Sequence, residues 1–123
     1  MSFDWSSFLD LAHKLSSKES LPKVDEEAKL RTSISRAYYA AHHKARRYLE
    51  KEGYRVPKDG TAHGFVIDSL KRHPDGKYRI LGIHLDRLLK DRIRADYRSQ
   101  FVDLQQRLNI DLMYAKRIVS SFS

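Results

Sequence analysis

Residues 30–49 read LRTSISRAYYAAHHKARRYL. Leu30, Ile34, Ala37, Tyr38, Ala41, Ala45, Tyr48 and Leu49 recur at steps of three and four, the period of a helix with one face against a core. Followed outward, the pattern predicts a helix from about Val24 to Glu52. It stops at Gly53, in the place of a C-cap glycine, which takes the left-handed conformation without steric cost. No window of the chain sustains the alternation of a half-buried strand, so the expected fold class is all-α.

On the N-terminal side, Trp5, Phe8, Leu9, Ala12 and Leu15 predict an amphipathic helix near 4–17 with Asp4 as its cap, followed by the Ser-rich connector Ser16–Leu21 and Pro22. On the other side, Gly53 to Gly60 holds Pro57 and Asp59-Gly60 and reads as the longest loop. A short helix from Thr61 to Arg72 follows, capped by Thr61, with Phe65, Val66, Ile67 and Leu70 apolar. Pro74-Asp75-Gly76 spells a tight turn. The next helix carries Leu81, Leu85, Leu88, Leu89 and Ile93 on one face and ends near Ala95-Asp96-Tyr97. The last segment aligns Phe101, Leu104, Leu108, Leu112, Ala115, Val119 and Phe122, with a break expected at Asn109-Ile110-Asp111. Short connections favour an up-and-down bundle of four to five helices with antiparallel neighbours, in a single domain over 1–123.

The chain has 24 Lys and Arg against 16 Asp and Glu, a formal charge of +8, which suits an anionic partner, whether RNA, DNA, a nucleotide or an acidic protein, and also keeps a small bundle in solution. It has no Cys, which excludes disulfides and thiolate chemistry. Six His are present, but His42 and His43 are adjacent and diverge on a helix, and no metal-binding spacing occurs, so neither metal nor cofactor is expected. P-loop, GxGxxG and GxSxG motifs are absent. No run of apolar residues is long enough to span a membrane and the N-terminus lacks a basic leader, so the expected location is cytoplasmic.

On a helical wheel, Arg36, Tyr39, His43, Arg46 and Arg47 form a stripe away from the apolar sector, with Arg36 and His43 within about 20° of each other. A His can move a proton near neutrality, Arg can hold a phosphate, and Tyr can stack on a base. From spacing alone this stripe is as well a solvated or dimer-forming face. Arg79 and His84 lie about 140° apart on their helix and read as coincidence. His63-Gly64 opens the short helix, where unpaired backbone N–H groups attract anions. Arg92 and Arg94 extend the basic set, or else pair with Asp96 to orient the helix end and Tyr97.

The run Ser35-Arg36-Ala37-Tyr38-Tyr39-Ala40-Ala41-His42-His43-Lys44-Ala45 resembles the SRAYYA-type helix of HEPN proteins, with His43 in the place of that helix's His. His63-Gly64, and Arg92 to Tyr97 as an Arg-x-x-Ala-Asp-Tyr ending, continue the likeness in the right order. The resemblance implies a helical bundle that commonly dimerises. It also implies a metal-independent ribonuclease, often a toxin paired with a nucleotidyltransferase-like antitoxin, using an Arg and a His with four to six residues between them. Arg36 and His43 fit that spacing, Tyr39 would position the phosphate, and Arg46, Arg47, His63, Arg92 and Arg94 would bind RNA or a nucleotide. Tyr38, Asp96 and Tyr97 would belong to the structural motif. The other expectation is a non-catalytic HEPN module that dimerises and binds a nucleotide or a nucleotidyltransferase partner.

Overall fold

The structure is a computed structural model that describes residues 8–9, 12–13 and 23–122, except for the side chains of 23–25. Residues 8–9 and 12–13 are helical, and Leu9 and Ala12 are buried in the core, in keeping with the expected N-terminal helix. Its proposed cap Asp4 and the connector 16–22 lie outside the described residues. The full helices are α1 (Lys23–Lys51), α2 (Ala62–Lys71), α3 (Gly76–Tyr97) and α4 (Leu104–Ser121). Among the described residues there is no strand.

Side-chain pairs fix how the helices run. Tyr38 meets His63 and Tyr48 meets His73, so partners on α1 and the α2 segment stay 25 residues apart and the two run the same way. The connection over 52–61 returns along α1, where Arg46 Nη2 donates to Pro57 O at 3.1 Å and Val56 is buried. The expected alternation of direction therefore holds from α2 through α4 but fails between α1 and α2, because that loop is long enough to bring the chain halfway back. Between α3 and α4, His84 stacks on Tyr114 and Asp91 pairs with Arg107, the antiparallel order. α1 packs against both α3 and α4, while α2 rests mainly on α3.

Gly82 allows that last contact: a Cβ there would lie 2.9 Å from both Leu70 Cβ and the Lys71 backbone nitrogen. Gly53 has φ 93°, the left-handed stop expected after α1. Asp75 caps α3 by accepting from Lys77 N at 3.0 Å. Thr61 stands at the start of α2 without a side-chain cap bond; instead Asp59 accepts from Thr61 N at 2.9 Å and from the Thr61 hydroxyl. The C-terminal carbonyls of α3, which lack helical partners, are collected by Arg31 of α1, whose Nη1 donates to Ala95 O at 3.0 Å and Arg98 O at 2.6 Å.

One apolar assignment and one helix break change. Ile93 is 38% exposed, and Asp91 and Ala95 take the interior of α3 at that level. α4 runs unbroken through Asn109-Ile110-Asp111: Asn109 is exposed and accepts from Gln105 at 3.0 Å, while Asp111 turns inward. Helical spacing from Leu108 to Leu112 and Ala115 outweighs the local turn preference of Asn and Asp. No helix of the described residues is long and apolar enough to cross a membrane.

Candidate functional site

Three hydrogen bonds join blocks that are far apart in sequence. Tyr38 of α1, fully buried, lies 2.5 Å through its hydroxyl from Nδ1 of His63 at the start of α2. Its neighbour Tyr39 accepts at its hydroxyl oxygen from Arg92 Nη2 of α3 at 2.8 Å. One turn back, the Ser35 hydroxyl donates to Asp96 at 3.5 Å. Arg92 is held from three sides: its guanidinium lies 5.2 Å from the Tyr39 ring centre and 5.9 Å from that of Tyr97, and Nε is 2.9 Å from Asp96. The Nε–H is not aimed at the carboxylate, so this last contact is an ion pair and not a hydrogen bond.

Around these contacts lies a group of rings. His42 stands 4.6 Å from His63 and 5.1 Å from His43, and Tyr39 lies 6.2 Å from His43 and 6.3 Å from His63. Burial, the first cause, together with Arg46 and His63 pushes the His43 pKa down to about 4. Burial and the neighbouring His63, His43 and Arg46 push His42 to about 3. His63 is also held low, by burial and then Arg92 and Arg46. Burial drives the Tyr38 phenol up, against the pull of Arg92. At neutral pH the site thus holds uncharged imidazoles and the protonated Tyr38 phenol, flanked by the cations Arg92 and Arg46. A phosphate binding there would meet Arg92 and Arg46 and, by its charge, raise the pKa of His43 toward the range where it accepts a proton.

The expected site residues do not all meet. His43, Tyr39, His63 and Arg92 share this cluster, and half-buried Tyr39 packs against the core, so the stripe is not a solvated face along its whole length. Arg36 lies earlier on the stripe, its guanidinium 5.0 Å from the centre of the Phe8 ring. Arg46 holds Pro57 and lies 3.6 Å from Glu50, while its charge still reaches the histidines. Arg47 faces a separate cleft lined by Lys44, Tyr48, Lys51, Ser121 and Phe122. Arg94 pairs with Asp91 at 3.4 Å and not with Asp96. Arg79, away from the site, donates to His73 O and Pro74 O and closes the turn before α3.

His42 was not among the expected site residues, although its place one turn after Tyr38 was a readable signal. Asp91 and Asp111, both fully buried between α3 and α4, were also missed, although Asp91 falls on the apolar spacing of Leu88 and Ala95 and Asp111 on that of Leu108 and Ala115. Among the described residues no three His, Asp or Glu side chains are placed to hold a metal ion. The chain matches no known family model, no curated protein and no solved structure, so the site is read from its own geometry.

Proposed function

We propose that the chain is a HEPN-type, metal-independent RNA endonuclease, the toxin of a toxin–antitoxin pair with a nucleotidyltransferase-like antitoxin. The observation that carries the reading is the meeting of the three blocks of the resemblance: Tyr38 with His63, Tyr39 with Arg92, and Ser35 with Asp96. In this reading His43 takes the proton of a ribose 2′-hydroxyl, the 2′-oxygen bonds to phosphorus, and the 5′-oxygen leaves and is protonated by solvent. The products are a 2′,3′-cyclic phosphate and a free 5′-hydroxyl. Arg92 and Arg46 stabilise the charge on the phosphoryl oxygens, and Arg36 joins them from a second subunit if the protein dimerises along the stripe.

One observation favours a second reading. Arg36 rests on Phe8 and stands seven helical steps before His43, about 10 Å along the axis. A HEPN module that only binds a nucleotide or a nucleotidyltransferase partner through this face needs no Arg–His contact. Induced expression of wild type beside Arg36→Ala and His43→Ala, with total RNA examined, separates the two. The nuclease reading expects growth arrest and EDTA-resistant cleavage with cyclic-phosphate ends, lost in His43→Ala. Healthy cells with intact RNA would leave the binding module.

A further inference from the structure

Tyr38 is fully buried, so its single hydroxyl proton has to find an acceptor inside the protein. Two imidazole nitrogens are within reach, His63 Nδ1 at 2.5 Å and His42 Nδ1 at 3.5 Å, and we infer that the hydroxyl donates to the nearer one, His63. An Nδ1 that accepts carries no hydrogen of its own, so an uncharged His63 holds its proton on Nε2. Nε2 is the nitrogen on the side of the ring away from Nδ1, and it has no hydrogen-bond partner among the described residues. His63 is half-buried, beside Tyr39, with the charges of Arg92 and Arg46 acting on it.

We propose that Tyr38 locks His63 as an uncharged Nε2–H donor to a phosphate oxygen of bound RNA, so that His63 holds the strand and transfers no proton. This rests on the RNA-handling reading above and adds to it the group that receives the phosphate. Burial and the two guanidiniums keep the imidazole uncharged at neutral pH, while burial keeps the phenol protonated. Such a donor does not switch off between mildly acidic and alkaline pH, unlike an imidazolium. Tyr38 is then a positioning residue: it touches His63 and not the RNA.

Long-range proton–nitrogen NMR on the full chain reads the tautomer directly. The expected result is His63 with its hydrogen on Nε2 in the wild type, and a mixture of tautomers in Tyr38→Phe. Binding is measured with a 2′-O-methyl oligoribonucleotide, which cannot be cleaved. His63→Ala should weaken it by about tenfold to a hundredfold, the worth of one hydrogen bond to a charged group. His63→Gln, whose amide places an N–H near the Nε2 position, should restore most of it. A hydrogen on Nδ1 of His63, or unchanged binding in His63→Ala, overturns the proposal. A wild type that binds through His63 yet cuts no RNA removes the nuclease reading and leaves this one standing; one that cuts RNA with His63→Ala fully active does the reverse.

Discussion

His42 and His43 are neighbours on α1 with different surroundings, and their titration should show it. Burial is the first cause of both shifts, down to about 3 for His42 and about 4 for His43. An unfolded histidine titrates near 6.5, so each folded-state pKa is depressed. Their contribution to stability is therefore present above about pH 6.5 and is lost as pH falls through the folded values. Urea denaturation across this range should show the folding constant dropping by up to about tenfold per pH unit for each histidine, with His43 contributing less because it is partly exposed. His42→Gln, uncharged at every pH, should flatten the acid side of the profile; an unaltered slope would mean His42 already titrates normally. The place of His43 on the stripe was legible from spacing. Its depressed pKa was not, because the neighbours responsible include His63, which arrives on another element.

At the scale of elements, the contact between α2 and α3 depends on the absence of one carbon. A Cβ on residue 82 would press on Leu70 Cβ and on the backbone of Lys71, and backbone cannot swing aside as a flexible side chain does. Gly82→Ala should therefore destabilise the protein by about 1–3 kcal/mol, the usual cost of overpacking, although alanine is the better helix former. Chemical denaturation checks this, and a stabilised variant would show that α2 can shift freely. The long helix, the loop, the turn at Pro74-Asp75-Gly76 and the end of α3 were readable because capping and turn chemistry act over a few residues. The direction of α2 was not readable. It is set by the pairing of Tyr38 with His63 and of Tyr48 with His73, and by Arg46 drawing the loop back along α1. The clamp of Arg31 on the end of α3 spans more than sixty residues and left no local mark. The candidate site was legible as three separate blocks, and only folding brought them together.

For the whole molecule, the seam between α3 and α4 holds two fully buried carboxylates, Asp91 and Asp111. Asp91 accepts from Arg107 twice, at 2.8 Å and 3.2 Å, but among the described residues neither oxygen of Asp111 has a hydrogen-bond donor. Two ionised carboxylates have no proton to offer each other, whereas a protonated Asp111 can donate to Asp91. Burial, then the contact with Asp91 and its charge, holds the Asp111 pKa far above the ordinary carboxylate range, against the opposing pull of Arg107 and Arg87. The folded-state pKa is raised, so the stability this proton supplies is complete below about pH 4 and is lost as pH rises through neutrality toward the folded value. That is the opposite slope to the histidines, so the two effects together should give a stability maximum on the acid side of neutrality. Asp111→Asn keeps the shape, carries no charge and presents an N–H to Asp91. It should be more stable than wild type at pH 8 and should remove a slope of about tenfold in the folding constant per pH unit. Asp91→Asn should instead remove the charge that faces Arg107 and cost about 1–3 kcal/mol, the worth of hydrogen bonds to a charged group. A wild-type profile that is level from pH 7 to pH 9, where the histidines no longer contribute a slope, or an Asp111→Asn profile with the same slope as wild type there, would mean that the seam holds no such proton. In the expected case, α4 is held most weakly against α3 and α1 in alkaline solution, and α3 and α1 are the helices that carry Arg92, Tyr39 and His43.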